Sequence, residues 1–391
     1  MIIRGIKPDE FDTCLDLWDK SFVNTSRSYF KRYFYGDPWF TPEYTRVCED
    51  EGRIVSAVQI VRREVRCGSS TLVMGGISNV GTLPGSQGKG YSSATMRDAI
   101  EVMFDAGMDF SMLFTGINPY YERLGYCTID FPVGASSPKP RLTPADTPYS
   151  VRPYDNKDAK AVVSIYNEFN SDIALSTIRT PGYWSGFAIN PEAEHFDIWV
   201  AECDDEIVGY VAGHAYRNSY QISEVCCREA HETSLRPLMH KVWDLATQVH
   251  AEELICRLSY YSTINTAIAE IALPLKPKTC SYMMLKVLNL RNMFERLLPE
   301  LSKQAANVRS EALLTITVDG IGDITLDISP GHVAVSEHQS ELKIGLTQYQ
   351  LLDLVFGYRN PAEILPARPG AEMLAAVFPK RTPVFYLIDS F

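Results

Sequence analysis

Ser78-Asn-Val-Gly-Thr-Leu-Pro-Gly-Ser-Gln-Gly-Lys-Gly-Tyr-Ser-Ser93 joins a β-type run to a glycine-rich loop and the start of a helix. Gly85, Gly88 and Gly90 lack the Cβ atoms that would hold a ligand away from the backbone. The following helix start offers unpaired N–H groups and the positive end of the helix dipole. This stretch therefore predicts a cradle for an anionic phosphate group.

The spacing of the loop excludes two common kinds of phosphate site. A P-loop would need glycine at Leu83 and Ser or Thr at Gly90. A dinucleotide fingerprint would need a third glycine at Ser93, and no short βαβ unit opens the chain. The remaining pattern, Gln-x-x-Gly-x-Ser from Gln87 to Ser92, resembles the pyrophosphate loop of the GNAT superfamily, which binds acetyl-CoA. Ser92 departs from that loop, because its last position is usually Gly or Ala.

A second motif strengthens the resemblance. Asn118-Pro-Tyr-Tyr-Glu-Arg-Leu-Gly-Tyr126 is similar to the GNAT signature in which a short helix with a tyrosine pair precedes a glycine and an aromatic strand residue. A predicted helix and the apolar strand Phe110 to Thr115 separate the two motifs. Both motifs in this order indicate a GNAT-type fold with acetyl-CoA as cosubstrate and no metal.

The resemblance implies which residues hold acetyl-CoA. Backbone groups of one strand would pair with the pantetheine arm as an added strand does, and amides of the loop and helix start would hold the pyrophosphate. Lys89 would add a charge contact or remain a solvated loop lysine. The cofactor-binding residues expected in this way are Val80, Gly81, Thr82, Gly88, Lys89, Gly90, Tyr91, Ser92, Ser93, Gly116 and Ile117.

Tyr121 is the expected general acid. The resemblance places its matching tyrosine beside the CoA sulfur, and a phenol that gives its proton to a thiolate does so uphill by roughly 2 kcal/mol. A strong hydrogen bond to the developing charge is therefore as good an interpretation as full proton transfer. Tyr120 is the competing candidate, whereas Tyr126 is expected to face the core.

The base is expected at the other end of the sequence. The enhanced-intracellular-survival (Eis) branch of the superfamily is thought to use the chain's own terminal carboxylate, which here would be that of Phe391. Asp389 is a nearby alternative carboxylate. A third interpretation is that Phe391 only anchors a final strand, predicted from Thr382 to Ile388.

Composition limits the class of protein. The 391 residues are 46% apolar, enough for two or three domains with sizeable cores. The net charge of −11 opposes nonspecific nucleic-acid binding and would attract cationic substrates. Nine cysteines without a C-x-x-C pair fit reduced thiols. The sequence shows neither a signal peptide nor a membrane-spanning run, so a cytoplasmic protein without membrane partners is expected.

The chain divides into three predicted units. A proline-rich segment from Phe131 to Pro148 reads as a linker, so a catalytic GNAT domain is expected over residues 1–147. The strand and helix pattern then repeats over 148–285 without the glycine loop, which predicts a degenerate GNAT-like domain that shapes one wall of the pocket. Residues 286–391 read as an α+β domain that resembles the sterol-carrier-protein module.

Two GNAT-like units followed by such a module form the layout of the Eis-like acetyltransferases. The resemblance implies direct acetyl transfer to primary amines of a cationic small molecule, of aminoglycoside or polyamine type, or of lysine. It also implies a homo-oligomer, either a trimer or a hexamer. Two alternatives remain: an acyltransferase with a longer acyl donor, and a lipid- or acyl-CoA-binding regulatory protein with a vestigial site. The aromatic stretch from Tyr29 to Phe40 is a weak substrate-site candidate beside its ordinary role in a core.

Overall fold

A computed structural model describes residues 1–140, 142, 147–190, 195–256, 262–365 and 369–391. The described strands are β1 Ile2–Gly5, β2 Thr45–Asp50, β3 Arg53–Cys67, β4 Ser70–Thr82, β5 Phe110–Phe114, β6 Cys127–Ser136, β7 Ser150–Pro153, β8 Asp197–Cys203, β9 Glu206–Tyr216, β10 Ser219–Cys227, β11 Glu253–Cys256, β12 Lys276–Val287, β13 Ala312–Val318, β14 Gly322–Ser329, β15 His332–Ser336 and β16 Lys343–Leu346. The described α-helices are α1 Phe11–Ser21, α2 Arg27–Tyr35, α3 Tyr91–Asp105, α4 Asn118–Glu122, α5 Ala159–Phe169, α6 Pro181–Tyr183, α7 Leu235–Gln248, α8 Ser262–Ile271, α9 Leu290–Gln304, α10 Gln348–Phe356, α11 Pro361–Ile364 and α12 Ala371–Val377.

Twelve of these strands form one sheet, in the order β1-β2-β3-β4-β5-β12-β6-β11-β10-β9-β8-β7. The order is symmetric, because β4 pairs in parallel with β5 and β10 pairs in parallel with β11. The last strand of each half of this sheet pairs with a strand of the other half. β12, from the second half, pairs with β5, and β6, from the first half, pairs with β11. The fold is mixed α/β, and its main sheet runs without interruption through both halves.

The segment predicted as a linker is a central strand over part of its length. β6 carries Pro132 and lies between β12 and β11. The register of β6 against β12 shifts between Cys280 and Met283, close to the position opposite Pro132. Prolines within sheets occur at such irregularities because a ladder bond is missing there anyway. Residues 141 and 143–146 of the predicted linker lie outside the described part of the chain.

A second sheet of four strands, in the order β15-β14-β13-β16, follows in the last part of the chain. Helix α9 packs on both β15 and β4, and so joins this sheet to the large one. Among the described residues no helix is both long and apolar enough to cross a bilayer.

The closing strand predicted from Thr382 to Ile388 is wrong. That segment has no strand pairing, and its last two residues belong to a 3-10 helix over Leu387–Asp389. Backbone N–H groups here bond singly to different parts of the molecule. The N–H of Arg381, just before the segment, donates to the Gly357 carbonyl, and the Val384 N–H donates to the Ala174 carbonyl, both at 2.9 Å. The apolar run from Val384 to Ile388 predicted a strand, but no strand in the described part of the chain pairs with this segment.

Candidate active site

The site begins where β4 and β5 separate. The two strands pair only from Met74 opposite Phe110 to Gly76 opposite Met112, although β4 continues to Thr82. Near the opening, β4 bulges against β3 between the partners of Ala57 and Gln59, and Asn79 takes a φ of +49°. Diverging parallel strands leave a wedge whose walls carry backbone N–H and C=O groups. The wedge can therefore receive an extended ligand as an added strand.

The glycine-rich loop joins the end of β4 to helix α3. Gly85, Gly88 and Gly90 have φ values of +84°, +77° and +85°, a region that side chains disfavour. A Cβ built at any of the three would meet no atom within 4 Å, so open space faces the loop. Helix α3 then starts at Tyr91, and no side chain caps its first turn. Uncapped amides and open space fit a pyrophosphate group.

Side chains around the loop fix its shape. The Tyr91 hydroxyl donates to the Asp50 carboxylate, and this bond raises the pKa of Tyr91 to about 12. The Ser92 hydroxyl bonds to the Tyr120 hydroxyl at 2.6 Å, which ties the start of α3 to α4. Lys89 is exposed. Residues 91 and 92 therefore offer their backbone amides to a ligand, since their side chains already have partners.

A cleft of about 800 Å³ lies in the wedge, and Val80, Gly116 and Ile117 contribute to its walls. Ile117 is 62% exposed at the mouth. The same walls contain Tyr121 and Phe391, so the structure brings five of the residues predicted for the site together around one space.

Gly81 and Thr82 are placed differently. They do not contribute to the described walls of the cleft. A Cβ on Gly81 would lie 2.9 Å from Cδ1 of Trp18, so helix α1 covers this glycine. The Ser56 hydroxyl donates to the Gly81 carbonyl at 2.8 Å and lies 3.0 Å from Oγ1 of Thr82. Both residues help to fix β4 against β3 and α1.

Tyr121 is buried on the short helix α4, with its side chain at the cleft. Burial, with a smaller contribution from the Tyr120 phenol, raises the pKa of Tyr121 above its ordinary value. The two rings meet edge to face at 4.8 Å. Tyr126 is buried, and its hydroxyl lies 2.8 Å from Oγ of Ser111, so it faces the core.

Phe391 is 8% exposed and lies between two cavities. Its ring packs on Phe114 at 5.6 Å and on Phe385 at 5.9 Å between ring centres. A Cβ on Gly76 of β4 would come within 2.3 Å of this ring. The missing side chain at Gly76 is therefore what allows the last residue to lie against the sheet.

The second cavity, which we call the aromatic cavity, measures about 410 Å³ and shares Phe114 and Phe391 with the cleft. Its remaining walls come mainly from the last twelve residues and from β6, β12 and the α10 end. These wall residues are Phe131, Tyr282, Met283, Tyr358, Lys380, Arg381, Thr382, Pro383, Val384, Phe385, Tyr386, Leu387 and Ser390.

Residues 380–391, which we call the tail, are held by a buried ion-pair network. The Arg179 guanidinium donates to both oxygens of Asp389 at 2.9 Å and to both oxygens of Glu224 at 2.8 and 2.6 Å. Hydroxyls of Tyr183 and Tyr166 donate to Asp389 at 2.9 and 3.3 Å. Arg179, Glu224 and Asp389 are fully buried, which raises the pKa of Glu224. Asp389 therefore fixes the tail and does not face the cleft.

A second arginine supports the backbone next to Phe391. Nη2 of Arg32 donates to the Ser390 carbonyl at 3.3 Å. Its guanidinium stacks on Tyr29 and Phe187, 4.2 and 4.5 Å from the ring centres. Arg32 of α2 thus holds the last peptide group, and the Arg179 network holds the side chain of Asp389.

Sequence reasoning missed these supports. Arg179 and Glu224 are separated by 45 residues, and neither lies in a recognisable motif. It also missed the loop from Phe22 to Ser26, whose residues form part of the cleft together with Tyr29 and Phe30. The aromatic content of the Tyr29 to Phe40 stretch was the available signal, and its first two aromatic residues do reach the cleft.

Comparisons with known proteins agree with this geometry. Residues 2–129 match the family described as acetyltransferase (GNAT) domain. A search of curated proteins gives no match. Among solved structures, a probable N-acyltransferase from Enterococcus faecalis V583 is 16% identical, with a TM-score of 0.76 over 100% of this chain and 99% of that chain.

Two further solved structures are similar over the full length of both chains. A GCN5-related N-acetyltransferase from Anabaena variabilis is 16% identical with a TM-score of 0.74. Eis1 from Mycobacterium abscessus is 12% identical with a TM-score of 0.65. At these identities the likeness establishes a shared fold. Residues 2–129 thus match a GNAT acetyltransferase domain, and the whole chain shares its fold with these solved structures.

Proposed function

We propose that the chain transfers an acetyl group directly from acetyl-CoA to a primary amine within a ternary complex. The supporting observation is that Tyr121 and Phe391, which lie 270 positions apart in the sequence, line one cleft at the separated ends of β4 and β5. No cysteine occurs among the described wall residues of that cleft, which favours direct transfer over an acetylated thiol of the enzyme.

Binding of the donor would use the backbone. The wedge beside Val80 would hold the pantetheine arm, and the amides from Gly88 to Ser93 would hold the pyrophosphate. Acetyl-CoA supplies an activated thioester whose sulfur leaves as a thiolate. The chain's own residues must then orient the amine, accept its proton and stabilise the leaving sulfur.

Tyr121 would donate a hydrogen bond to the sulfur as the bond to the acetyl carbon breaks. Burial raises the pKa of this phenol, which makes complete proton transfer to a thiolate less favourable than in water. A strong hydrogen bond to developing negative charge needs no such transfer. We therefore assign Tyr121 the role of a hydrogen-bond donor to the leaving group.

The α-carboxylate of Phe391, the last residue of the sequence, would receive the amine. A carboxyl pKa near 3.5 and an ammonium pKa near 10.4 differ by roughly 7 units, so outright deprotonation is unfavourable. The ammonium would first release one proton to solvent, which costs about 4–5 kcal/mol at pH 7. The carboxylate would orient the neutral amine and take the second proton from its nitrogen as the new C–N bond forms and the C–S bond breaks. Support from Arg32 and Arg179 on the two preceding residues keeps Phe391 at the cleft.

Several finer features remain proposals. The last four-stranded sheet with α9 would be the sterol-carrier-like unit, and the second half of the large sheet would be the unit without a CoA site. Lysine, polyamines and aminoglycosides stay predicted acceptor classes. A cytoplasmic location and a trimer or hexamer also stay predictions.

Substitution of Tyr121 by Phe tests the central role. We expect Tyr121→Phe to lower kcat about 100-fold or more while acetyl-CoA still binds, because a single preorganised donor contributes on that scale. Tyr120→Phe is the matched control, since it removes a neighbouring phenol that bonds to Ser92. Thiol release should be measured against a panel of amines. Near-normal turnover of Tyr121→Phe would exclude the assigned role.

The role of Phe391 needs a separate pair of variants. A chain that ends at Ser390 moves the terminal carboxylate, whereas Phe391→Leu keeps the carboxylate and changes only the ring. We expect the shortened chain to lose at least 100-fold in kcat and Phe391→Leu to lose less than tenfold. Equal losses in both would show that Phe391 acts through its ring, as an anchor of the tail.

A further inference from the structure

The two cavities at Phe391 have an unusual lining for an enzyme expected to bind polycations. Phe114 and Phe391 stand between them. In the aromatic cavity, Phe114 packs on Phe385 at 5.5 Å and on Tyr282 at 6.0 Å. Phe131 adds a further ring 5.1 Å from Tyr282. These four rings and the ring of Phe391, which packs on Phe114 and Phe385, thus form a continuous aromatic wall.

Acidic side chains do not occur among the described wall residues of either cavity. The charged side chains of the aromatic cavity are basic, namely Lys380 and Arg381. Arg381 donates to Glu300, a carboxylate that is 2% exposed and serves this ion pair. The acidic residues that give the chain its net charge of −11 therefore lie outside the described walls of both cavities.

Asp389, the acidic side chain of the tail, also has hydrogen-bond partners already. Asp389 is fully buried and accepts both of its Arg179 bonds at 2.9 Å. A ligand cannot reach it without opening the network of Arg179, Tyr183 and Tyr166. The carboxylate proposed at Phe391 is thus the one negative group that the described walls offer to an ammonium.

This lining discriminates between amines by charge. An ammonium group that leaves water without pairing with a carboxylate loses its hydration free energy, and no ion pair offsets that loss. A polyamine or an aminoglycoside would bring several such groups to a site whose described walls offer them no acidic side chain. A ring or hydrocarbon body gains from burial against aromatic walls, and a single ammonium at its end has one partner.

We propose that the acceptor carries one primary amine on an aromatic or hydrocarbon body, and that this body occupies the aromatic cavity with its amine at Phe391. This inference rests on the proposed function, since it names the acceptor of the same site. Arylalkylamines are the simplest members of this class. It narrows the predicted acceptors and places polycations among the poor substrates.

The first experiment compares 2-phenylethylamine and tryptamine with spermidine and an aminoglycoside at saturating acetyl-CoA. We expect kcat/KM to be at least 100-fold higher for the arylalkylamines. Equal or higher values for spermidine or the aminoglycoside would overturn the inference and leave the proposed function standing. Calorimetric binding of the same amines to the protein with CoA adds an independent readout. If bound acetyl-CoA reacts with no amine, the proposed function fails, and the calorimetric order of the amines still decides the inference.

Two variants place a carboxylate at the aromatic cavity. Lys380→Glu changes an exposed residue at its edge and is expected to leave the fold intact, whereas Phe385→Glu introduces the charge beside Phe391. Each should shift the spermidine to 2-phenylethylamine ratio of kcat/KM at least tenfold towards spermidine. Lys7→Glu, on an exposed residue at the opposite end of the chain, is the control for charge alone. An unchanged ratio in Lys380→Glu would contradict the inference even if Phe385→Glu does not fold.

A long acyl chain is the competing occupant of the aromatic cavity. A donor such as octanoyl-CoA would then be used with a higher kcat/KM than acetyl-CoA, and 2-phenylethylamine would not compete for the space. That result would overturn the inference, because the cavity would hold part of the donor. A preference for acetyl-CoA together with arylalkylamine turnover supports it.

Discussion

Substitution of Asp389 by Asn should release the tail from the second half of the large sheet. The carboxylate accepts two bonds of 2.9 Å from Arg179 and one of 2.9 Å from the Tyr183 hydroxyl. An amide would present N–H groups to these donors and remove one of the two charges that Arg179 balances. Breaking a buried pair in this way costs about 3–5 kcal/mol. The ratio of attached to detached tail should fall by about two to three orders of magnitude, since 1.4 kcal/mol is a factor of ten.

Hydrogen exchange at Val384 reports this change directly. Its N–H donates to the Ala174 carbonyl at 2.9 Å and is protected only while the tail is attached. We expect exchange at Val384 to accelerate about 100-fold or more in Asp389→Asn. Thiol release should fall in parallel because Phe391 leaves the cleft, while acetyl-CoA binding should persist.

Asp158→Asn is the matched control for this experiment. Asp158 is 4% exposed, accepts two bonds from Arg152 at 2.6 and 3.1 Å and one from the Asp155 N–H at 2.8 Å, and lies away from the tail. It should cost stability without changing Val384 exchange. If Asp389→Asn and Asp158→Asn gave the same exchange at Val384, the tethering role of Asp389 would be refuted.

Three further perturbations follow from single contacts. Burial alone would raise the pKa of Glu300, but bonds from the Ser69 backbone, Arg381, Gln304 and the Ser69 hydroxyl lower it to about 2. Its stabilising effect is therefore present above pH 4.5 and lost as pH falls, so the wild type's advantage over Glu300→Gln in thermal unfolding should shrink by about 2 kcal/mol between pH 5 and 3. Burial raises the pKa of Asp109 to about 6, so stability is lost as pH rises from about 4 to that value, and Asp109→Asn should gain about 2 kcal/mol on the wild type between pH 4 and 6.5. Gly90→Ala and its control Gly320→Ala both strain a positive φ facing open space and should each cost about 1 kcal/mol, but only Gly90→Ala should weaken CoA binding, by about tenfold in calorimetry.

Short sequence motifs were enough to predict the residues proposed to bind acetyl-CoA. The glycine loop and the start of α3 follow from conformational freedom and helix-end chemistry, both of which are written in neighbouring residues. Helix α3 begins at Tyr91, directly after the glycine loop, and runs to Asp105. Tyr121 could be proposed from the sequence for the same reason, because its motif spans only nine residues from Asn118 to Tyr126.

Long-range pairing could not be predicted. An apolar segment can be predicted to form a strand, but its sequence does not say which strand it will pair with. The pairing of β6 and β12 with strands of the other half therefore could not be predicted. The same limit explains the tail, where the apolar run from Val384 to Ile388 predicted a strand. These residues are apolar because they are buried or partly buried without sheet pairing.

The exchange of strands changes what a domain boundary means in this chain. Residues 1–147 read as one domain, yet without β12 the edge of β5 beside the cleft would be unpaired, and without β11 one edge of β6 would be open as well. Exposed edges of this kind are open to pairing with other chains. The second half lacks a glycine loop, but it contributes Arg179, Glu224 and the Ala174 carbonyl, which hold the tail at the first half's cleft. The second half therefore provides a wall strand and the tail anchor for the cleft of the first half, and the cleft would lose both without it.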